Sequence, residues 1–118
     1  MKKLFLFSIC ILSCVSGLSA AATDFPVEIQ FENAEMKSYK ITLPPNKTTG
    51  MHRDDHNRVL IALKGGKLKK VDQTGEVAIL DLESGKSYYL TPDPPGALHT
   101  TTNISKNPIE LIVVEFKE

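Results

Sequence analysis

Cysteine is scarce and poorly placed for a disulfide framework: both cysteines, Cys10 and Cys14, stand near the start of the 118-residue chain. That stretch reads as an export signal. Lys2 and Lys3 form a short positive region, LFLFSICILSCVSG is apolar but too short and too rich in Ser and Cys to span a membrane, and LSAAA offers small residues to a signal peptidase. Cleavage after Ala22 removes residues 1–22 and delivers a cysteine-free chain to the periplasm or the medium, so its stability has to come from packing. A lipoprotein signal is the competing reading, with ILSC as acceptor and Cys14 as the lipidated first residue, although Leu12 is unusual there. Without that lipid, no membrane attachment is expected once the signal is removed.

An excess of charge is missing too. Losing Lys2 and Lys3 takes 14 basic residues to 12 against 14 acidic ones, a net charge of −2, and no basic block exceeds GGKLKK. This excludes nucleic acid as an expected partner. Lys67, Lys69 and Lys70 read as one solvated hairpin strand. Removing 22 of 118 residues leaves 96, enough for one domain (23–118) that buries roughly 60 to 65 percent of its unfolded-chain surface.

Helix signals are nearly absent from that domain, and what replaces them is the two-residue period of half-buried strands. FPVEIQFE alternates Phe25, Val27, Ile29 and Phe31 with polar neighbours, and MKSYKITL sets Tyr39, Ile41 and Leu43 on one face. After the break at PPNKTTG come NRVLIALKGG, KLKKV, the DQTGE turn, VAILDL, the ESGK turn and SYYLTP. A Pro-rich corner, ALHTTTN, the turn SKNP and the strong strand IELIVVEF complete the chain. Short strands at near-regular spacing predict an all-β sandwich or barrel. The inward faces of VLIAL, VAIL and LIVVEF fill its core, and Pro92, Pro94 and Pro95 bend the corner that delivers His99 to the barrel opening.

The stretch PPGALHTTTN, with Pro94, Gly96, His99 and Asn103 at their spacing, resembles the second conserved motif of the cupin superfamily, and Gly85 precedes it at a longer interval than usual. The first cupin motif is matched in part by MHRDDHNRVLIALKGG. His52 takes the first histidine place and Gly65 the closing glycine, but Asp54 stands at the second histidine, Arg58 at the glutamate and Asn46 at the leading glycine. The resemblance covers most of the mature chain. It implies an antiparallel, jelly-roll-like β-barrel, and pairing of two copies through sheet edges or swapped terminal strands, with FPVEIQFE or IELIVVEF contributing.

The same motifs imply a metal set in which only His52 and His99 match the family pattern. In a strand, His52, Asp54 and His56 share one face, and a strand carrying His99 across the interior brings a third donor toward them. Two imidazoles and a carboxylate suit iron(II) with open positions and also accept manganese, nickel or zinc. Asp54 and His56 compete for the third place: a straight strand favours Asp54, and a bulge in DDHNR favours His56. Arg58 reads as an exposed or half-buried strand cation that opposes a metal ion.

Other chemistries lack their parts. Ser84, Ser87 and the threonines of HTTTN have no oxyanion-hole motif, KGGK does not lead a strand into a helix, and no arginine follows His99 to hold an oxygenase cosubstrate. Two readings remain: a binding module whose barrel mouth, lined by Tyr88, Tyr89 and the histidines, holds a small ligand or a divalent metal, and a metal-dependent enzyme of dioxygenase or isomerase type. Loss of the glutamate, with no independent acid or base, favours the binding module.

Overall fold

The computed structural model describes residues 25–117, and the predicted export signal with Cys10 and Cys14 lies outside them. Among the described residues there is no helix. Eight strands form: β1 (Val27–Glu32), β2 (Met36–Leu43), β3 (Arg58–Lys64), β4 (Gly66–Asp72), β5 (Val77–Leu82), β6 (Ser87–Leu90), β7 (His99–Asn103) and β8 (Ile109–Phe116). They divide into a five-stranded sheet ordered β1-β2-β8-β3-β6 and a three-stranded sheet ordered β5-β4-β7, antiparallel throughout. The predicted barrel is therefore a two-sheet jelly roll. Two sheets each hydrophobic on one face bury those faces against each other.

Leu43, Leu60, Ala62, Leu68, Leu82, Ile109, Leu111 and Val113 form the core, with Tyr39, Ile41, Leu80, Tyr88 and Leu90 packed on it. Every strand predicted to supply that core does so by alternate residues. The alternation fails in β1. A bulge between Ile29 and Phe31 lets Val27 and Ile29 pair with Ile41 and Tyr39 but sets Phe31 opposite Ser38, so Phe31 faces away from its supposed companions. As an edge strand β1 also stays exposed along its length. IELIVVEF is hydrogen-bonded on both edges, by β2 and β3, which leaves β1 and β6 as the free edges of that sheet.

The turns carry the residues their geometry requires. In Pro94-Pro95-Gly96-Ala97 the Ala97 N–H donates to the Pro94 carbonyl at 3.1 Å, Pro sits at the second place and Gly96 has φ 80° at the third, which is a type II turn. Asn46, where the family motif has glycine, has φ 66°. Asparagine tolerates the left-handed region better than other residues with a Cβ, which suits it to this turn. Asn103 closes β7 as a clamp: its Nδ2 donates to the carbonyls of Leu43 at 2.8 Å and Asn107 at 2.9 Å, and its Oδ1 accepts the Ser105 N–H at 2.8 Å.

Candidate metal centre

His99 opens β7, and its backbone exchanges two hydrogen bonds with that of His52, N to O at 2.8 and 2.9 Å. A residue pair bonded in this way lies side by side with both side chains on one face. The rings accordingly stand 4.5 Å apart between centroids, tilted by 57°. The histidines are thus brought together as neighbours, not across the interior as the sequence suggested.

Residues 53–57 form no strand, so the two-residue period ends at His52. Asp54 is aimed instead by the Pro-rich corner. Its N–H donates to Asp93 Oδ2 at 2.9 Å, its carbonyl accepts the Asp93 N–H at 2.8 Å, and Arg53 ties the same corner down through the Asp93 and Pro94 carbonyls. The carboxylate then meets His52 Nε2 at 3.7 Å through Oδ1 and His99 Nε2 at 3.3 Å through Oδ2. One donor atom from each of His52, Asp54 and His99 lies within 4.8 Å of the others. His56 is not part of this group. It pairs with Asp55 at 3.5 Å and contributes nothing to the cavity wall, because the chain between Asp54 and His56 follows no strand geometry.

The tethers of the two rings fix which nitrogens face the centre. His52 Nδ1 lies 2.7 Å from the Gly50 carbonyl, which can only accept, so Nδ1 carries the hydrogen and Nε2 presents a lone pair. His99 Nδ1 faces Asp93 Oδ2 at 3.3 Å, the carboxylate–histidine arrangement that orients metal ligands and raises their basicity. His52 thus presents Nε2 as an acceptor, and His99 does the same when its hydrogen sits on Nδ1 toward Asp93; its Nε2 stands equally close, 3.3 Å, to Asp54 Oδ2. Donors gathered in this way attract a cation, either a proton or a metal ion. This donor set fits a divalent transition metal with open positions.

The electrostatics follow the same division. The Asp54 carboxylate beside it holds His52 above its usual value despite burial, whereas burial, aided by Lys70 and His52, holds buried His99 below its own. Burial disfavours the charge on Asp54, yet His52, Arg58 and His99 together keep its carboxyl below the ordinary range. Asp93 behaves alike: burial opposes its charge, and the Asp54 N–H and Lys70 outweigh it. Of the two imidazoles, His52 therefore holds a proton more readily than His99.

Two cations join the site: Arg58, expected as an exposed or half-buried strand cation, and Lys70, expected on a solvated strand. Arg58 is only 12% exposed and reaches Asp54 Oδ2 with Nη1 at 3.3 Å; Lys70, 35% exposed, reaches Asp93 Oδ1 at 3.3 Å. Register explains both. Arg58 shares its face of β3 with Leu60, and Lys70 its face of β4 with Leu68, so each turns inward, while Lys67 pairs with Asp81 outside. Arg58 Nε is buried with no hydrogen-bond partner, an omission that costs about 1–3 kcal/mol unless a ligand or water supplies an acceptor. Asp93 was also missed, since nothing local in TPDPPG marks a residue that matters through its fold neighbours.

The group borders a cavity of about 390 Å³ between the sheets, with aliphatic walls from Ile41, Leu60, Leu68, Leu80, Leu111 and Val113 and a rim that includes Phe25 and Met51. Neither Tyr88 nor Tyr89 lines it: Tyr88 spends its hydroxyl on the Glu83 N–H, and Tyr89 faces outward.

No protein-family model matches the chain, and no curated protein matches it in sequence. Solved structures do match in shape. A cupin domain from Bordetella pertussis Tohama I superposes with a TM-score of 0.69 at 24% identity, over 80% of this chain and 94% of that one. An RmlC-like cupin family protein with a double-stranded β-helix fold from Methanocaldococcus jannaschii gives 0.60 at 20% identity, over 78% and 79%. A cupin 2 conserved barrel domain protein from Salinispora arenicola gives 0.56 at 19% identity, over 80% and 76%. The fold of this chain is therefore the cupin double-stranded β-helix.

Proposed function

We propose that this chain is an exported cupin-fold binding protein in which His52, Asp54 and His99 hold a divalent transition metal (iron, manganese, nickel or zinc) beside a cavity that takes a small ligand. The observation that carries the reading is the convergence of three acceptors whose other hydrogen-bonding atoms are tethered by Gly50 and Asp93. Asp93 orients His99, Arg58 neutralises part of the Asp54 charge, and the aliphatic walls exclude water from the ligand. A bound metal supplies open coordination positions for that ligand. Two copies pairing along the free edge of β1, where Val27, Ile29 and Phe31 are exposed, complete the proposal.

The test is calorimetric titration of zinc, manganese and nickel salts into metal-free protein and its His99→Ala variant, with circular dichroism to verify folding. One equivalent bound by the parent and lost in the folded variant supports the site; equal binding by both defeats it. The opening of the cavity beside the three donors also suits the enzymatic alternative, which metal-dependent turnover abolished by His99→Ala would establish.

A further inference from the structure

We propose that the cavity selects a small amphipathic anion, an organic acid whose carboxylate is received by Arg58 and Lys70 and whose hydrocarbon body lies against Leu60, Leu111 and Phe25. This names the ligand of the metal-and-ligand reading above and rests on it. Each sheet turns one cation inward, Arg58 beside Leu60 on β3 and Lys70 beside Leu68 on β4, where an aliphatic residue would pack without cost. Both cations have donors to spare. Arg58 has five N–H hydrogens and reaches Asp54 through Nη1, and the Lys70 ammonium, with three hydrogens, contacts Asp93.

The charge count points the same way. Asp54 and Asp93 balance Arg58 and Lys70, so a divalent ion on two neutral histidines leaves the site with two uncompensated positive charges in a mainly aliphatic cavity. The complement of such a site is negative at one end and apolar at the other. A neutral sugar would leave the aliphatic walls facing hydroxyls. A polyphosphate would need more donors than two cations provide.

The experiment titrates hexanoate, hexan-1-ol, hexylammonium and acetate into zinc-loaded and metal-free protein by calorimetry, and repeats the series with Arg58→Met and Lys70→Gln. Hexanoate is expected to bind at least about tenfold tighter than hexanol or acetate, as a charge-assisted bond and an apolar body each contribute, and hexylammonium not at all. Both variants lose the preference for hexanoate over hexanol. Lys70→Gln, at a half-exposed position, decides the matter if Arg58→Met fails to fold. Equal affinity for hexanoate and hexanol, or a preference unchanged in the folded variants, overturns the proposal. If zinc itself does not bind, the metal reading fails separately, and the preference measured in metal-free protein still tests Arg58 and Lys70.

Discussion

Replacing Asn103 with Asp changes two hydrogen-bond donors into an acceptor with almost no change of shape. Asn103 is fully buried, and its Nδ2 is the donor to Leu43 on β2 and Asn107 in the turn before β8. The aspartate keeps the bond from the Ser105 N–H but turns an oxygen toward two carbonyls. Two lost bonds cost about 1 kcal/mol each, and the repulsion and unsatisfied acceptors left behind add about as much again, for a total of about 4 kcal/mol. At 4–8 °C per kcal/mol for a domain of this size, the thermal midpoint at pH 7 falls by roughly 15–30 °C. Thermal unfolding followed by circular dichroism measures this directly. The sign of the pH dependence supplies a second check. Burial raises the carboxyl pKa of the aspartate in the folded state, so the deficit is greatest above that value and shrinks as the pH falls and a donor returns. A midpoint within about 3 °C of the parent, below even 1 kcal/mol, would refute the clamp.

Three further outcomes are expected. Val113→Asp places an unpaired carboxylate at a core position 2% exposed and destabilises the domain by at least about 3 kcal/mol, measurable by urea unfolding; an unchanged midpoint would mean the strand face is misassigned. His56→Ala leaves zinc affinity unchanged, whereas Asp54→Ala lowers it, as calorimetry on the two variants will show. Zinc affinity rises with pH about tenfold per unit below the raised pKa of His52 and levels off above it, because that proton must leave before the metal binds. His99, held below its usual value, loses its proton at a lower pH than His52. A pH-independent affinity would contradict that assignment.

The sequence carried the strands because each needs only its own alternation, and it carried His99, Gly96 and Asn103 because a turn and a strand fix their spacing. It carried less of what depends on register. The β1 bulge, invisible in FPVEIQFE, put Phe31 on the other face. Lys70 looked like a surface lysine beside Lys67 and Lys69, yet its parity with Leu68 turns it into the cavity. Asp54 was placed near His52 for a reason that does not apply, a continuous strand; the Asp93 clamp supplies its orientation. The clamp joins residues 39 positions apart, a separation no local pattern records. His56 lost its claim for the same reason, since without a strand it has no common face with His52.

Elemental analysis of the untagged protein beside its Asp54→Ala and His99→Ala variants is the decisive measurement for the metal site. About one equivalent of a transition metal per chain is expected in the parent, and its loss from both folded variants. Metal-free parent protein that also takes up no added zinc, manganese, nickel or iron would contradict the metal site.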